Sequence, residues 1–134
     1  MDGPRATIAV SFARPADARL VREHLRAHGH RVVEMAAAAA GGIDLVLLDI
    51  PSLHRHTTAF LRRLKDNDPV FLPVILAMDQ RGDAAGWLNT GMIDDCLRLP
   101  LSKAELVSRI NVFLRLRQRT GALAEKSEEI RALV

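Results

Sequence analysis

The chain has 134 residues, 49% of them apolar and only 4% aromatic, enough for one domain with a real core and some length to spare. No stretch reaches the ~18–20 consecutive apolar residues of a membrane span, and no basic-then-apolar leader opens the chain, so a cytoplasmic protein with no membrane partner is expected. The lone Cys96 excludes an intrachain disulfide and a cysteine zinc site, and the net charge of +3 is too dilute to argue for a nucleic-acid partner.

In chain order, Thr7 to Phe12 is a first strand, apolar and β-branched enough to be central. Pro15 suits the first turn of a helix, Asp17 favours its positive end, and Ala18, Val21 and Leu25 share one face before Gly29 ends it. Arg31 to Met35 is a shorter strand, expected at an edge. The alanines from Ala36 to Ala40, followed by Gly41 and Gly42, leave room for about one or two turns, so the second helix is stunted.

Ile43 to Ile50 holds four consecutive apolar residues, Leu45 to Leu48, with neither helical period nor alternation, which reads as a parallel strand buried on both faces. Pro51 to His56 reads as a loop, with Thr57 or Thr58 capping a helix that turns Phe60, Leu61 and Leu64 inward. Leu72 to Met78 is a fourth strand with Pro73 near its start. Asp83 caps a short helix through Trp87 and Leu88, Asp95 to Leu99 is a fifth strand, and Ser102 with Glu105 has capping-box spacing. In the last helix Leu106, Ile110, Phe113 and Leu114 face inward. Then Phe113, Leu116, Thr120, Leu123, Ser127, Ile130 and Val134 keep a 3-4 spacing, the seam of a helix leaving the domain to pair with its own copy. Gly121 is a candidate joint in that helix.

Strands alternating with helices over such short connections predict an α/β, doubly wound, five-stranded parallel sheet in the flavodoxin-like order 2-1-3-4-5, with a shortened second helix and an extended C-terminal one. Ligands collect in such sheets outside the carboxyl ends of the strands, which makes Asp49 the first residue to explain.

From about residue 6 to 116 the chain resembles the receiver domain of bacterial two-component response regulators, and residues 117–134 read as a helical extension. The resemblance rests on Asp44-Leu45-Val46-Leu47-Leu48-Asp49-Ile50, on Leu72-Pro73-Val74-Ile75-Leu76, and on Asp94 to Ser102 leading into Glu105-Leu106. It implies phosphoryl transfer from a histidine kinase to Asp49, assisted by magnesium held by two carboxylates after the first strand, a hydroxyl after the fourth and a lysine after the fifth. Those positions fall on Phe12 and Ala13, on Met78 and on Leu99, and the family's switch aromatic falls on Cys96. The proline and glycine that follow the family's phosphoacceptor fall on Leu53 and Thr57.

These departures describe a pseudo-receiver that keeps the fold and has lost the switch. It would need no cofactor, with magnesium relevant only if Asp49 is phosphorylated, and it would not be an enzyme. The expected partner is a second copy, engaged through the face of the fourth helix, fifth strand and fifth helix with Trp87, Arg98, Arg109 and Phe113. Leu116, Leu123 and Ile130 continue that interface along the tail. An output domain such as a diguanylate cyclase or a histidine kinase is the expected recipient. The alternatives are a working phosphoacceptor at Asp49 and a small-molecule sensor. His54 and His56 read as a solvated loop pair, Asp79 as a rim acid, and Arg115, Arg117 and Arg119 as cations spread around a solvated helix.

Overall fold

The computed structural model describes residues 5–56 and 58–133. Its elements are β1 (Thr7–Ser11), α1 (Pro15–Ala27), β2 (Arg31–Glu34), α2 (Met35–Ala38), β3 (Leu45–Asp49), α3 (Ile50–His56), α4 (Thr58–Asn67), β4 (Val74–Met78), α5 (Ala84–Leu88), β5 (Asp95–Arg98) and α6 (Lys103–Leu133). All strand pairings are parallel and the order is β2-β1-β3-β4-β5, with β2 at an edge as anticipated.

Alternation within the strands divides the core into two layers. Ile8, Val10, Leu45, Leu47, Ile75 and Leu97 face α1 and α6, meeting Val21, Leu25, Leu106, Ile110 and Leu114. Ala9, Val46, Leu48, Leu76 and Met78 face the other way, toward Met35, Leu53 and Leu61. Every residue of β3 and β4 is buried, as continuous apolar runs in a parallel sheet require. The second helix is four residues long, because Gly41 (φ 84°) and Gly42 (φ 76°) take left-handed conformations directly after the alanines.

Two sequence expectations are corrected here. Pro51 to His56 is not a loop but α3, whose first turn is fixed by a side-chain cap from Asp49. The face assigned to the fourth and fifth helices is consequently formed by α5, β5 and α6. Gly121 is no joint, since α6 runs unbroken over 31 residues. Asp83 does cap α5, accepting the Gly86 N–H at 3.0 Å, and Ser102 Oγ accepts the Glu105 N–H at 3.3 Å at the start of α6. Of the residues expected at helix ends and in the seam, Thr57 and Val134 lie outside the described residues.

Candidate functional site

Asp49 ends β3 and is 4% exposed. Its Oδ2 accepts the Ala13 N–H at 2.9 Å, and its Oδ1 accepts the Ser52 N–H, also at 2.9 Å. The second bond is the N-cap of α3: a carboxylate one residue before the helix takes up one of its otherwise unpaired amides and meets the positive end of its dipole. The first bond ties the carboxyl end of β1 to that of β3.

Around this carboxylate lies a crevice of about 540 Å³, lined by Ala13, Arg14, Asp17, Ile50, Pro51, Ala77, Met78, Asp79, Leu99 and Pro100. Its walls are largely aliphatic. Asp79 does stand on the rim, where its Oδ1 accepts the Arg81 N–H at 2.9 Å. The side chains do not fit a magnesium site. Phe12 and Ala13 offer no ligand atoms, both Asp49 oxygens are engaged by amides, and among the described residues no three His, Cys, Asp or Glu converge as a metal set.

Of the two histidines after Asp49, His54 is exposed as expected, whereas His56 is half-buried. His56 Nε2 lies 3.2 Å from Ser11 Oγ, joining the end of α3 to the end of β1, and His54 meets the Trp87 ring edge-on at 6.4 Å. Ser52 Oγ is fully buried and has no hydrogen-bond partner among the described residues. At the far end of α1, His30 is buried and its Nδ1 accepts the Ala6 N–H at 3.1 Å. Burial, and then His28, push the His30 imidazole below its ordinary value. His24 is lowered by the same two causes in the same order.

On the α5, β5 and α6 side, Arg98 reaches the loop that follows β4. Its Nη1 donates to the carbonyls of Asp79 (2.7 Å) and Gly82 (2.8 Å), which makes this half-buried residue a strut for the β4–α5 loop. Trp87 and Phe113 are half-buried, packed on the two core layers. Arg109 is exposed and pairs with Asp95 at 3.0 Å. Cys96 also packs on the core, and burial followed by Asp95 raises its thiol, against an opposing pull from Arg98. Leu116, Leu123 and Ile130 stand out in solvent at 41%, 67% and 64% exposure. Arg117, which sequence spacing grouped with solvated cations, lies against the domain and bonds Asp44, Asp68 and Phe71.

No protein-family model and no curated protein matches the sequence. Solved structures do. The receiver domain of the TMAO respiratory response regulator TorR matches at TM-score 0.66 and 25% identity, covering 83% of this chain and 98% of that domain. The chain folds as a response-regulator receiver domain. NtrX from Brucella abortus, solved with ADP, matches at TM-score 0.70 and 22% identity, covering 97% of this chain and 29% of the NtrX chain. A chain carrying a fused trimeric coiled-coil segment of yeast Spc42 matches at TM-score 0.70 and 16% identity, covering 99% of this chain and 97% of that one. The carboxylate at the end of β3 thus stands in a receiver fold beside Phe12, Ala13, Met78 and Leu99, and Arg98 holds the loop that follows β4.

Proposed function

We propose that this receiver domain is a pseudo-receiver, a non-enzymatic regulatory module of two-component signalling that self-associates and sets the geometry of an output domain. The observation that carries the reading is the pair of backbone N–H hydrogen bonds accepted by Asp49: the carboxylate serves as a structural cap, beside Ala13, Met78 and Leu99 where the resemblance implies a carboxylate, a hydroxyl and a lysine to stabilise a phosphoryl transfer. Of the interface residues named above, Trp87, Arg98 and Phe113 are engaged within the domain, so self-association rests on Leu116, Leu123 and Ile130. They are seven residues apart on the exposed side of α6. A diguanylate cyclase or histidine kinase is the kind of output that reads such a helical pair.

The test is the molar mass of the chain in solution, measured with and without magnesium and beryllofluoride, beside a variant carrying Leu123→Ser and Ile130→Ser. An oligomer that ignores the phosphoryl mimic and is lost in the variant supports a constitutive scaffold. A monomer that associates only with the mimic establishes Asp49 as a working acceptor of phosphate from a histidine kinase, and refutes the pseudo-receiver.

The aliphatic crevice favours a second reading, a sensor of a small molecule that seats against Met78 and Leu99. Its signature is a ligand-dependent rise in melting temperature that Met78→Trp abolishes.

A further inference from the structure

Beyond Leu114, the last buried residue of α6, one guanidinium ties the helix to the amino-terminal edge of the sheet. The Arg117 side chain is only 16% exposed, and its Nε donates to Asp44 Oδ1 at 3.2 Å. Its Nη1 donates to the Phe71 carbonyl at 3.0 Å and lies 3.0 Å from Asp68 Oδ2. These acceptors are themselves fixed. Asp44 Oδ2 accepts the Thr7 N–H at 2.9 Å, which locks it to the start of β1, and Asp68 Oδ1 accepts the Val70 N–H at 3.0 Å in the α4–β4 connection. A planar fork with several donors can serve acceptors in different directions at once, which a lysine ammonium does less well.

Rotational phase matters as much as attachment. On a 3.6-residue period Leu114, Arg117 and Gly121 share the side of α6 turned to the domain. Leu114 is buried, and a Cβ at Gly121 would stand 3.8 Å from Val70. Leu116, Leu123 and Ile130 share the opposite side. From residue 122 to 133 every position except the partly buried Ala124 is exposed, so the Arg117 bonds are the last polar tie between helix and domain among the described residues.

We propose that Arg117 is the positioning residue that sets the direction and rotational phase of the tail, and thereby where the Leu116–Leu123–Ile130 seam is presented to a partner. Ile130 lies thirteen residues beyond the clamp, a lever of about 20 Å at ~1.5 Å per residue. A looseness of about 20° at its base displaces the seam by roughly 7 Å, comparable to the 8–10 Å separation of packed helices. Domain and tail then act as one rigid piece, and a change at the sheet edge, through Asp44 or the α4–β4 connection, is transmitted to the seam. The use of this device rests on the self-association proposed above; its existence does not.

The experiment measures an intramolecular distance between spin labels at Arg62→Cys on α4 and Arg131→Cys on the tail. It is done in the full chain with Cys96→Ala, diluted into excess unlabelled protein. Two perturbations are compared with this parent: Arg117→Gln, and the pair Asp44→Asn with Asp68→Asn, whose amide oxygens still accept the Thr7 and Val70 N–H groups while the charges are gone. Both are expected to broaden the distance distribution at least twofold, with circular dichroism and the Trp87 fluorescence of a folded domain retained, whereas Arg119→Gln leaves the width unchanged. If Arg117→Gln fails to fold, the asparagine pair decides. A parent-like width in the folded perturbations, or equal broadening by Arg119→Gln, overturns the proposal. Molar mass measured on the same proteins separates the two ideas: an unlabelled chain that never associates refutes the scaffold reading and leaves the distance result standing.

Discussion

Replacing Asp49 by alanine removes the N-cap of α3 and leaves the Ala13 amide without its partner. Losing a cap costs about 1–2 kcal/mol. The second bond adds roughly 1 kcal/mol, at the low end for a charge-assisted bond because Ala13 is exposed and its amide regains water. The sum is about 2–3 kcal/mol, or on the order of 6–12 °C in Tm for a domain of this size. Asp49→Asn keeps one carbonyl oxygen, which can satisfy only one of two amides, so it should cost about half as much. The assay is urea denaturation followed by the fluorescence of Trp87, the sole tryptophan. The sign is diagnostic. Where a central carboxylate faces other carboxylates and awaits a metal, removing it relieves like-charge repulsion and stabilises the fold. Two variants as stable as the parent, or more so, would refute the view of Asp49 as a structural cap.

Other outcomes follow from the same coordinates. His30 and His24 are held below the ordinary histidine value of 6.5 in the fold, so as pH falls the unfolded chain takes up protons first. Stability is complete above that value and declines as pH drops through and beneath it. Denaturation midpoints between about pH 7 and pH 5 should show the decline, and His30→Gln should flatten it. Arg98→Ala removes two bonds to the β4–α5 loop, so amide exchange at Arg81 and Gly82 should rise about tenfold, equivalent to roughly 1.4 kcal/mol of lost local protection; unchanged exchange would deny Arg98 its role as a strut. Along the tail Arg119, Lys126 and Arg131 flank the apolar seam, while Glu125, Glu128 and Glu129 fall away from it on a helical period. Pairing of two tails therefore brings cations together, and association measured by sedimentation should tighten as salt is raised. Weakening with salt would mean that charge attraction holds the pair.

Sequence periodicity settled much of the architecture. The double burial of β3 was written in Leu45 to Leu48, the edge position of β2 in its brevity, and the short α2 in two glycines that end any helix before it can grow. The receiver order of strands follows because short right-handed crossovers leave little other choice. Such patterns are local in the chain, so a single sequence displays them.

The partners of polar atoms, in contrast, come from how the elements pack in space. Pro51 to His56 carries no apolar period that marks a helix; α3 forms where Asp49, already placed by the sheet, caps its first turn. Arg98 and Arg109 look alike in sequence, yet one is drawn under the β4–α5 loop and the other stays at the surface. Arg117 is separated from Asp44 by 73 residues, and nothing in the spacing of Arg115, Arg117 and Arg119 distinguishes the one that turns inward. A long flexible cation reaches whatever acceptor the packed backbone brings within a few ångströms. Burial follows from the order of residues along the chain, whereas hydrogen-bond partnership across the fold follows from the packing of elements in space.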